Sequence, residues 1–306
     1  MSRVAAIDCG TNSIRLLVAD IAGGQLVDVV RRLEIVRLGQ GVDRTGRLAP
    51  EAIMRTRRAL AVYAEQIREL GAEPVRMVAT SATRDAANRD DFRSMVLDTL
   101  GAEPEVITGQ QEAALSFAGA VRGLGGSAVA RPPYLVVDIG GGSTELVLGS
   151  AEVEAATSVD VGCVRLTERH LTGDPPAAEQ IKAAEADVLA AIELARAAVP
   201  LDRARTFVGL AGSVTTVAAI ALGLPEYDSA RIHHSRIPAA QVRSVADRLL
   251  AMTRSERAAL PVMHPGRVDV IGAGALVLRV LVDELDVAEV VVSEHDILDG
   301  IAWSIA

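Results

Sequence analysis

A ten-residue stretch near the amino terminus returns, shifted by 130 positions, in the second half of the chain. Ile7-Asp8-Cys9-Gly10-Thr11-Asn12-Ser13-Ile14-Arg15-Leu16 lies on Val137-Asp138-Ile139-Gly140-Gly141-Gly142-Ser143-Thr144-Glu145-Leu146, with Asp, Gly, Ser and Leu at the same offsets. A single Asp-x-Gly is common in ordinary hairpins. Two copies, each between the first and second strands of a similar unit, point to a duplicated α/β fold.

The flanking patterns support the duplication. Apolar, β-branched stretches at 3–8, 14–20 and 25–37 predict three strands, with Gly23-Gly24 turning between the second and third. Pro50 opens a helix that places Ile53, Leu60, Val62, Ile67 and Leu70 on one face and stops at Gly71. A strand at 75–80, a helix near 89–100, a strand at 104–107 and a helix at 109–121 follow. Residues 122–133, rich in Gly and Pro, predict a linker. The pattern then restarts, with strands at 134–138, 143–149 and 152–160, a long helix at 176–198 and a strand at 206–211. Helices at 213–222, 239–251 and 266–285, a strand at 289–293 and a helix at 296–305 complete it. The expected domains are 1–124 and 125–306, with the last helix free to pack back on the first.

Composition narrows the function. The formal charge is −9 and Phe, Trp and Tyr make up 2% of residues, so neither the basic face nor the stacking aromatics of a nucleic-acid binder are present. No apolar run approaches the roughly 18 residues needed to cross a bilayer. Asp8 interrupts any signal-peptide pattern, and Cys9 and Cys163 are far apart without metal-ligand spacing. The expectation is a soluble cytoplasmic protein. An anionic substrate must then be held locally, by backbone N–H groups, a few arginines and a metal, against the overall charge.

The repeated loops have that chemistry. Gly10 and Gly140, Gly141 and Gly142 let backbone N–H groups approach a ligand closely, with the Thr11, Ser13, Ser143 and Thr144 hydroxyls nearby. Asp8 and Asp138 would repel phosphate, but suit direct or water-mediated binding of Mg²⁺ (or Mn²⁺). Glycine-rich hairpins with Asp as a turn residue would look the same. The repeat differs at one offset, where Arg15 answers to Glu145: one copy offers a cation to phosphate, the other a second carboxylate to the metal.

The chain resembles the exopolyphosphatase / guanosine pentaphosphate phosphohydrolase (Ppx/GppA) family over essentially its whole length. The resemblance rests on the segments from Asp8 through Gly10, Thr11, Asn12, Ser13 and Arg15 to Leu16, and on Ala79-Thr80-Ser81-Ala82-Thr83-Arg84-Asp85-Ala86-Ala87-Asn88. Ile107-Thr108-Gly109-Gln110-Gln111-Glu112-Ala113 and Val137 to Glu145 join them. Supporting segments are Val161 to Leu166, Gly209 to Thr216, and Arg267 to Gly274. The resemblance implies two ribonuclease H-like domains of the actin/Hsp70/sugar kinase superfamily, with an interdomain cleft. It further implies Mg²⁺-dependent hydrolysis of the terminal phosphoanhydride of inorganic polyphosphate, and a homodimer. Guanosine pentaphosphate is the alternative substrate, and a small-molecule kinase or a non-catalytic nucleotide-binding regulator the alternative on the same fold.

By that resemblance Glu112 is the catalytic base, Arg84 clamps a phosphate, and Asp138 and Glu145 hold Mg²⁺. Gly140 to Gly142, Ser143, Arg267 and the Gly212-Ser213 helix start bind phosphate. An exposed first-turn Glu favoured by the helix dipole would read like Glu112. His233-His234 is adjacent in sequence and expected to point apart, in a loop or on the surface. The segment His295-Asp296-Ile297-Leu298-Asp299-Gly300 departs from the Arg-containing segment that the family often has, so the resemblance carries no phosphate contact over to it. Longer relatives carry extra carboxy-terminal helical domains that 306 residues do not accommodate. Phosphate release should therefore be faster from short polyphosphate than from very long chains, compared at equal concentration of chain ends. A clear preference for very long chains would contradict this.

Overall fold

The computed structural model describes residues 2–124 and 130–306. It is an α/β protein of two compact units, Met1–Gly119 with Ile297–Ala306, and Ala120–Asp296. Part of the expected linker, residues 125–129, lies outside the described residues, at the edge of which the expected 124/125 division falls. Among the described residues no helix is long and apolar enough to cross a membrane.

The first unit begins with β1 (Ser2–Cys9), β2 (Ser13–Ala22) and β3 (Gln25–Ile35), then α1 (Val42–Thr45), α2 (Pro50–Leu70), β4 (Val75–Ala79), α3 (Ser81–Asp85), α4 (Arg89–Leu100), β5 (Glu105–Val106) and α5 (Gly109–Val121). The second contains β6 (Tyr134–Ile139), β7 (Thr144–Gly149), β8 (Val153–Val159), α6 (Cys163–Arg169), α7 (Ala178–Ala198), β9 (Thr206–Leu210) and α8 (Ala211–Ala221). It continues through α9 (Ser229–Ile232), β10 (Arg236–Pro238), α10 (Ala239–Ala251), α11 (Arg254–Ala258), α12 (Ile271–Glu284) and β11 (Glu289–Val292). A last helix, α13 (Ile297–Ser304), belongs to the first unit.

Both sheets are mixed. Their strand orders are β3-β2-β1-β4-β5 and β10-β11-β9-β6-β7-β8. In each, three antiparallel strands form a meander whose first member pairs in parallel with the next strand, β1 with β4 and β6 with β9. The β2–β3 turn shows why the meander forms: Gly23 and Gly24 have φ of 59° and 77°. Two left-handed residues twist a two-residue turn to match its flanking strands.

Helices cover both faces of the first sheet, which is why β1 is buried from Val4 to Cys9. Ala5, Ile7 and Cys9 face a core shared with α2 and α4, whereas Val4 and Ala6 join Ile297, Leu298, Ile301 and Ala302 of α13. Gly300 permits that contact, because a Cβ there would stand 2.0 Å from the Leu115 carbonyl oxygen of α5. In the second unit β6 and β7 are buried throughout, and α12 packs almost all of its residues inside.

Several expectations are corrected. Val62 is 52% exposed; the inner face of α2 is Ala52, Thr56, Leu60, Tyr63, Ala64 and Ile67, spaced three and four apart as one helix face requires. The helix expected from 266 begins at Ile271, because Pro265–Arg267 forms a separate 3-10 turn capped by His264, whose Nδ1 accepts the Gly266 N–H at 3.1 Å. Helices α1, α3, α6, α9 and α11 and strand β10 were not expected, being only three to seven residues long.

His233 and His234 do not point apart. His234 adopts φ of 61°, which turns its ring onto His233 with centroids 3.7 Å apart, and His295 lies 4.4 Å from His233. Burial, and then the nearness of His295, lower the pKa of His234 below its ordinary 6.5. The unfolded chain therefore binds a proton at higher pH than the folded one, and native stability declines as pH falls through about 6.5. The midpoint of thermal unfolding should drop less between pH 7.5 and 5.5 in His234→Asn, which keeps a residue tolerant of positive φ, than in the native chain. Equal drops would remove His234 as a cause.

Candidate active site

In each unit the loop between the first two strands is shaped by the segment that follows the third. In the second unit the Cys163 N–H donates to Gly140 O at 3.0 Å, and the Val164 and Arg165 N–H groups donate to Gly141 O at 2.9 and 3.1 Å. The Arg165 side chain donates from Nε to Gly142 O at 2.7 Å. All three glycine carbonyls are thus drawn toward α6. Among the described residues the Gly141, Gly142 and Ser143 N–H groups meet no protein acceptor, which leaves them for an anion. The first unit repeats the device: Val36 and Arg37 donate to Asn12 O at 3.1 and 2.8 Å, and Gly39 donates to Thr11 O at 2.8 Å. Each loop is also closed by one bond, Gly10 N–H to Ser13 O at 2.9 Å and Gly140 N–H to Ser143 O at 3.0 Å.

The loop side chains divide. Ser143 is buried at the turn, whereas the Thr144 hydroxyl, expected to face phosphate, donates to Val161 O at 2.7 Å and ties β7 to the segment after β8. Asp8 and Arg15, predicted as a metal ligand and a phosphate cation, are joined to each other. Arg15 Nε and Nη2 both donate to Asp8 Oδ2, at 3.0 and 2.7 Å.

Asp138 and Glu145 stand directly opposite on β6 and β7 and are 7% and 1% exposed. Two carboxylates in cross-strand register repel, and burial adds a desolvation cost. A divalent cation reverses both effects, so the pair fits Mg²⁺ or Mn²⁺, which take one or two carboxylates together with waters and substrate phosphates. Among the described residues no group of three or more His, Cys, Asp or Glu is placed to hold a metal, so a pair is what this sheet offers.

Glu112 lies in the first turn of α5, and is 8% exposed rather than solvated. Thr108 and Gln111 build a capping box at this helix start. Gln111 Oε1 accepts the Thr108 N–H at 2.9 Å, and Thr108 Oγ1 accepts the Gln111 N–H at 3.2 Å. Arg84, in the last turn of α3, donates from Nη1 to Glu112 Oε2 at 2.9 Å and to Ile107 O at 3.1 Å. The same arginine lines a cavity of about 540 Å³ within the first unit, with Arg89, Arg93 and Thr108. The structure thus brings Arg84 and Glu112 together.

In the second unit α8 starts on Ala211, held at φ of 66°, a conformation that costs a residue other than glycine about 1–3 kcal/mol and concentrates at functional sites. The Arg267 guanidinium lies against Gly212, where a Cβ would come within 2.3 Å of Nη2, and donates to Gly212 O and Thr216 Oγ1 at 3.3 and 3.1 Å. Ser213 is buried against Gly274 and Cys163. Burial pushes the Cys163 thiol up to about 11, although the Ser213 bond pulls the other way. This thiol stays protonated at neutral pH and is a packing group.

Sequence reasoning missed Gly39, and quoted Gly162 and Arg165 within a family segment without giving them a role. At Gly162 φ is −158°, open to any residue, so the requirement is space. A Cβ there would stand 2.4 Å from Gly141 O and 2.7 Å from the Gly142 nitrogen. Gly39 makes a close approach of its own in the first unit, with Thr11 Cγ2 at 2.3 Å from its would-be Cβ. Gly162→Ala should therefore displace the glycine loop, at a cost of about 1–3 kcal/mol in stability, and weaken inorganic phosphate binding measured by calorimetry. Unchanged phosphate affinity would show that the contact does not shape the loop.

Comparison with known proteins places this geometry in context. The family model described as "Ppx/GppA phosphatase family" matches residues 17–306. Exopolyphosphatase 2 of Mycobacterium tuberculosis is 56% identical over 319 aligned positions, covering 100% of this chain and 99% of that one. The crystal structure of an exopolyphosphatase-like protein superposes with a TM-score of 0.93 at 44% identity, covering 98% of both chains. A Ppx/GppA family member from Aquifex aeolicus superposes with a TM-score of 0.81 at 31% identity, covering 99% of this chain and 97% of that one. With the family model matching residues 17–306 and the mycobacterial relative aligned over the whole chain, the chain belongs to the Ppx/GppA phosphatase family.

Proposed function

We propose that the chain is an exopolyphosphatase that removes the terminal phosphate of inorganic polyphosphate, with Glu112 as general base. The observation that carries this reading is the Arg84–Glu112 pair: a buried carboxylate, fixed at a capped helix start and held by an arginine that also lines a cavity. The name of the Mycobacterium tuberculosis relative, 56% identical over the full chain, supports the substrate class.

In this reading the Gly141, Gly142 and Ser143 N–H groups take phosphate oxygens, as their carbonyls, turned to α6, cannot. Arg84 keeps Glu112 oriented and offers its remaining N–H groups to the terminal phosphate. Glu112 accepts a proton from the attacking water as oxygen bonds to the terminal phosphorus. The bond to the bridging oxygen breaks, orthophosphate leaves, and the chain is one unit shorter. Asp138 and Glu145 would hold a Mg²⁺ ion, which supplies neutralisation of the charge spread over the phosphate oxygens.

Phosphate release from defined polyphosphate tests the base directly. Glu112→Gln keeps the size of the side chain and its place on α5, and should lower kcat by roughly 10²–10⁴-fold with an unaltered circular dichroism spectrum. Activity within a few-fold of native would exclude Glu112 as the base, and release from guanosine pentaphosphate alone would move the substrate assignment.

A further inference from the structure

Three side chains stand in one row across the second sheet: Asp138 on β6, Glu145 on β7 and Ser158 on β8, paired Asp138 to Glu145 and Glu145 to Ser158. Residues directly opposite on antiparallel strands share a face and touch. Ser158 Oγ donates to Glu145 Oε1 at 2.7 Å. Neither sequence reasoning nor the proposed mechanism gives this serine a role.

The first sheet supplies an internal comparison. Its equivalent row, by the same pairing, is Asp8, Arg15 and Leu33. There the middle residue is a cation that donates to the aspartate on its own account, and the third place is apolar. In the second sheet the middle residue is a carboxylate, and the third place carries a hydroxyl that donates to it. The exchange of Arg15 for Glu145 is therefore accompanied by an exchange of Leu33 for Ser158.

We propose that Ser158 is a positioning residue for a divalent cation held by Asp138 and Glu145; this rests on the reading of those two carboxylates as metal ligands. The terminal torsion of a glutamate is broad and roughly two-fold, so an unrestrained carboxylate samples many planes. The Ser158 hydroxyl bond to Oε1 restrains that plane. A neutral donor does so without cancelling the negative charge that attracts the cation, whereas a guanidinium, such as the one Arg15 brings to Asp8, would offset it. Partners that hold a metal ligand from behind commonly change metal affinity by about 10–100-fold when removed.

The test is Mn²⁺ binding by the full chain in the presence of inorganic phosphate, followed by electron paramagnetic resonance. Compared are the native protein, Asp138→Asn, Ser158→Ala, and the pair Ser158→Thr and Ser158→Val, which share a shape and differ by the hydroxyl. The native chain should bind Mn²⁺ saturably and Asp138→Asn should not. Ser158→Ala and Ser158→Val should bind about ten-fold more weakly, with Ser158→Thr near native. The Mg²⁺ concentration for half-maximal phosphate release should shift by the same factor while kcat at saturating Mg²⁺ changes little. Ser158→Ala and Ser158→Val binding Mn²⁺ like the native chain, with Asp138→Asn defective, would overturn the role of Ser158 and leave the metal site standing. No saturable site in the native chain, or full binding by Asp138→Asn, would overturn the metal reading and this inference with it.

Discussion

The functional geometry depends on where a few carbonyl groups point. A turn built on Gly140, Gly141 and Gly142 has as many acceptors as donors, and an anion is repelled by the acceptors. The N–H groups at the start of α6, with Arg165 Nε, take those acceptors at 2.7–3.1 Å and so polarise the turn. Val36, Arg37 and Gly39 do the same for Thr11 and Asn12 in the first unit. The third strand of each meander matters chiefly because it delivers the donating segment to the loop. Gly162 and Gly39 matter because nothing larger fits the approach.

The two units then diverge on a shared frame. One sheet pairs its aspartate with Arg15 on the neighbouring strand, while the other sets a second carboxylate, Glu145, opposite Asp138. A duplicated fold can thus carry opposite charges at one matching strand position, Arg15 and Glu145, with the strands and turns scarcely altered. Asp8 anchors Arg15 through one of its two oxygens, Oδ2.

Much of this was legible in the sequence. The repeat, the Gly23-Gly24 turn and the Pro50 to Gly71 helix are written in residues whose conformational preferences are strong, and both meanders follow from them. The Asp8–Arg15 bond was within reach as well, since a hairpin pairing Cys9 with Ile14 must pair Asp8 with Arg15. Other features left no such mark. The work of α6 is done by backbone N–H groups, which every residue but proline has, in a helix of seven residues too short for a periodic pattern. Gly39 and Gly162 lie outside the ten repeated positions, so the repeat that revealed the loops gave no sign of either. The His233–His234 stack hangs on one positive φ that no pattern signals, and Val62 was misplaced by counting apolar residues without requiring three-and-four spacing.

The return of α13 to the first sheet bears on how the chain is made. Val4, Ala6, Leu17 and Val78 bury one face of that sheet against Ile297, Leu298, Ile301 and Ala302. A ribosome synthesises the first group long before the second, and domains ordinarily fold as they emerge. Here the amino-terminal unit must wait with an apolar sheet face uncovered, while the 177 residues of Ala120–Asp296 are translated. The second unit, whose core draws on one unbroken stretch of chain, can finish first. The core of the first unit is therefore complete only once the last helix has been made.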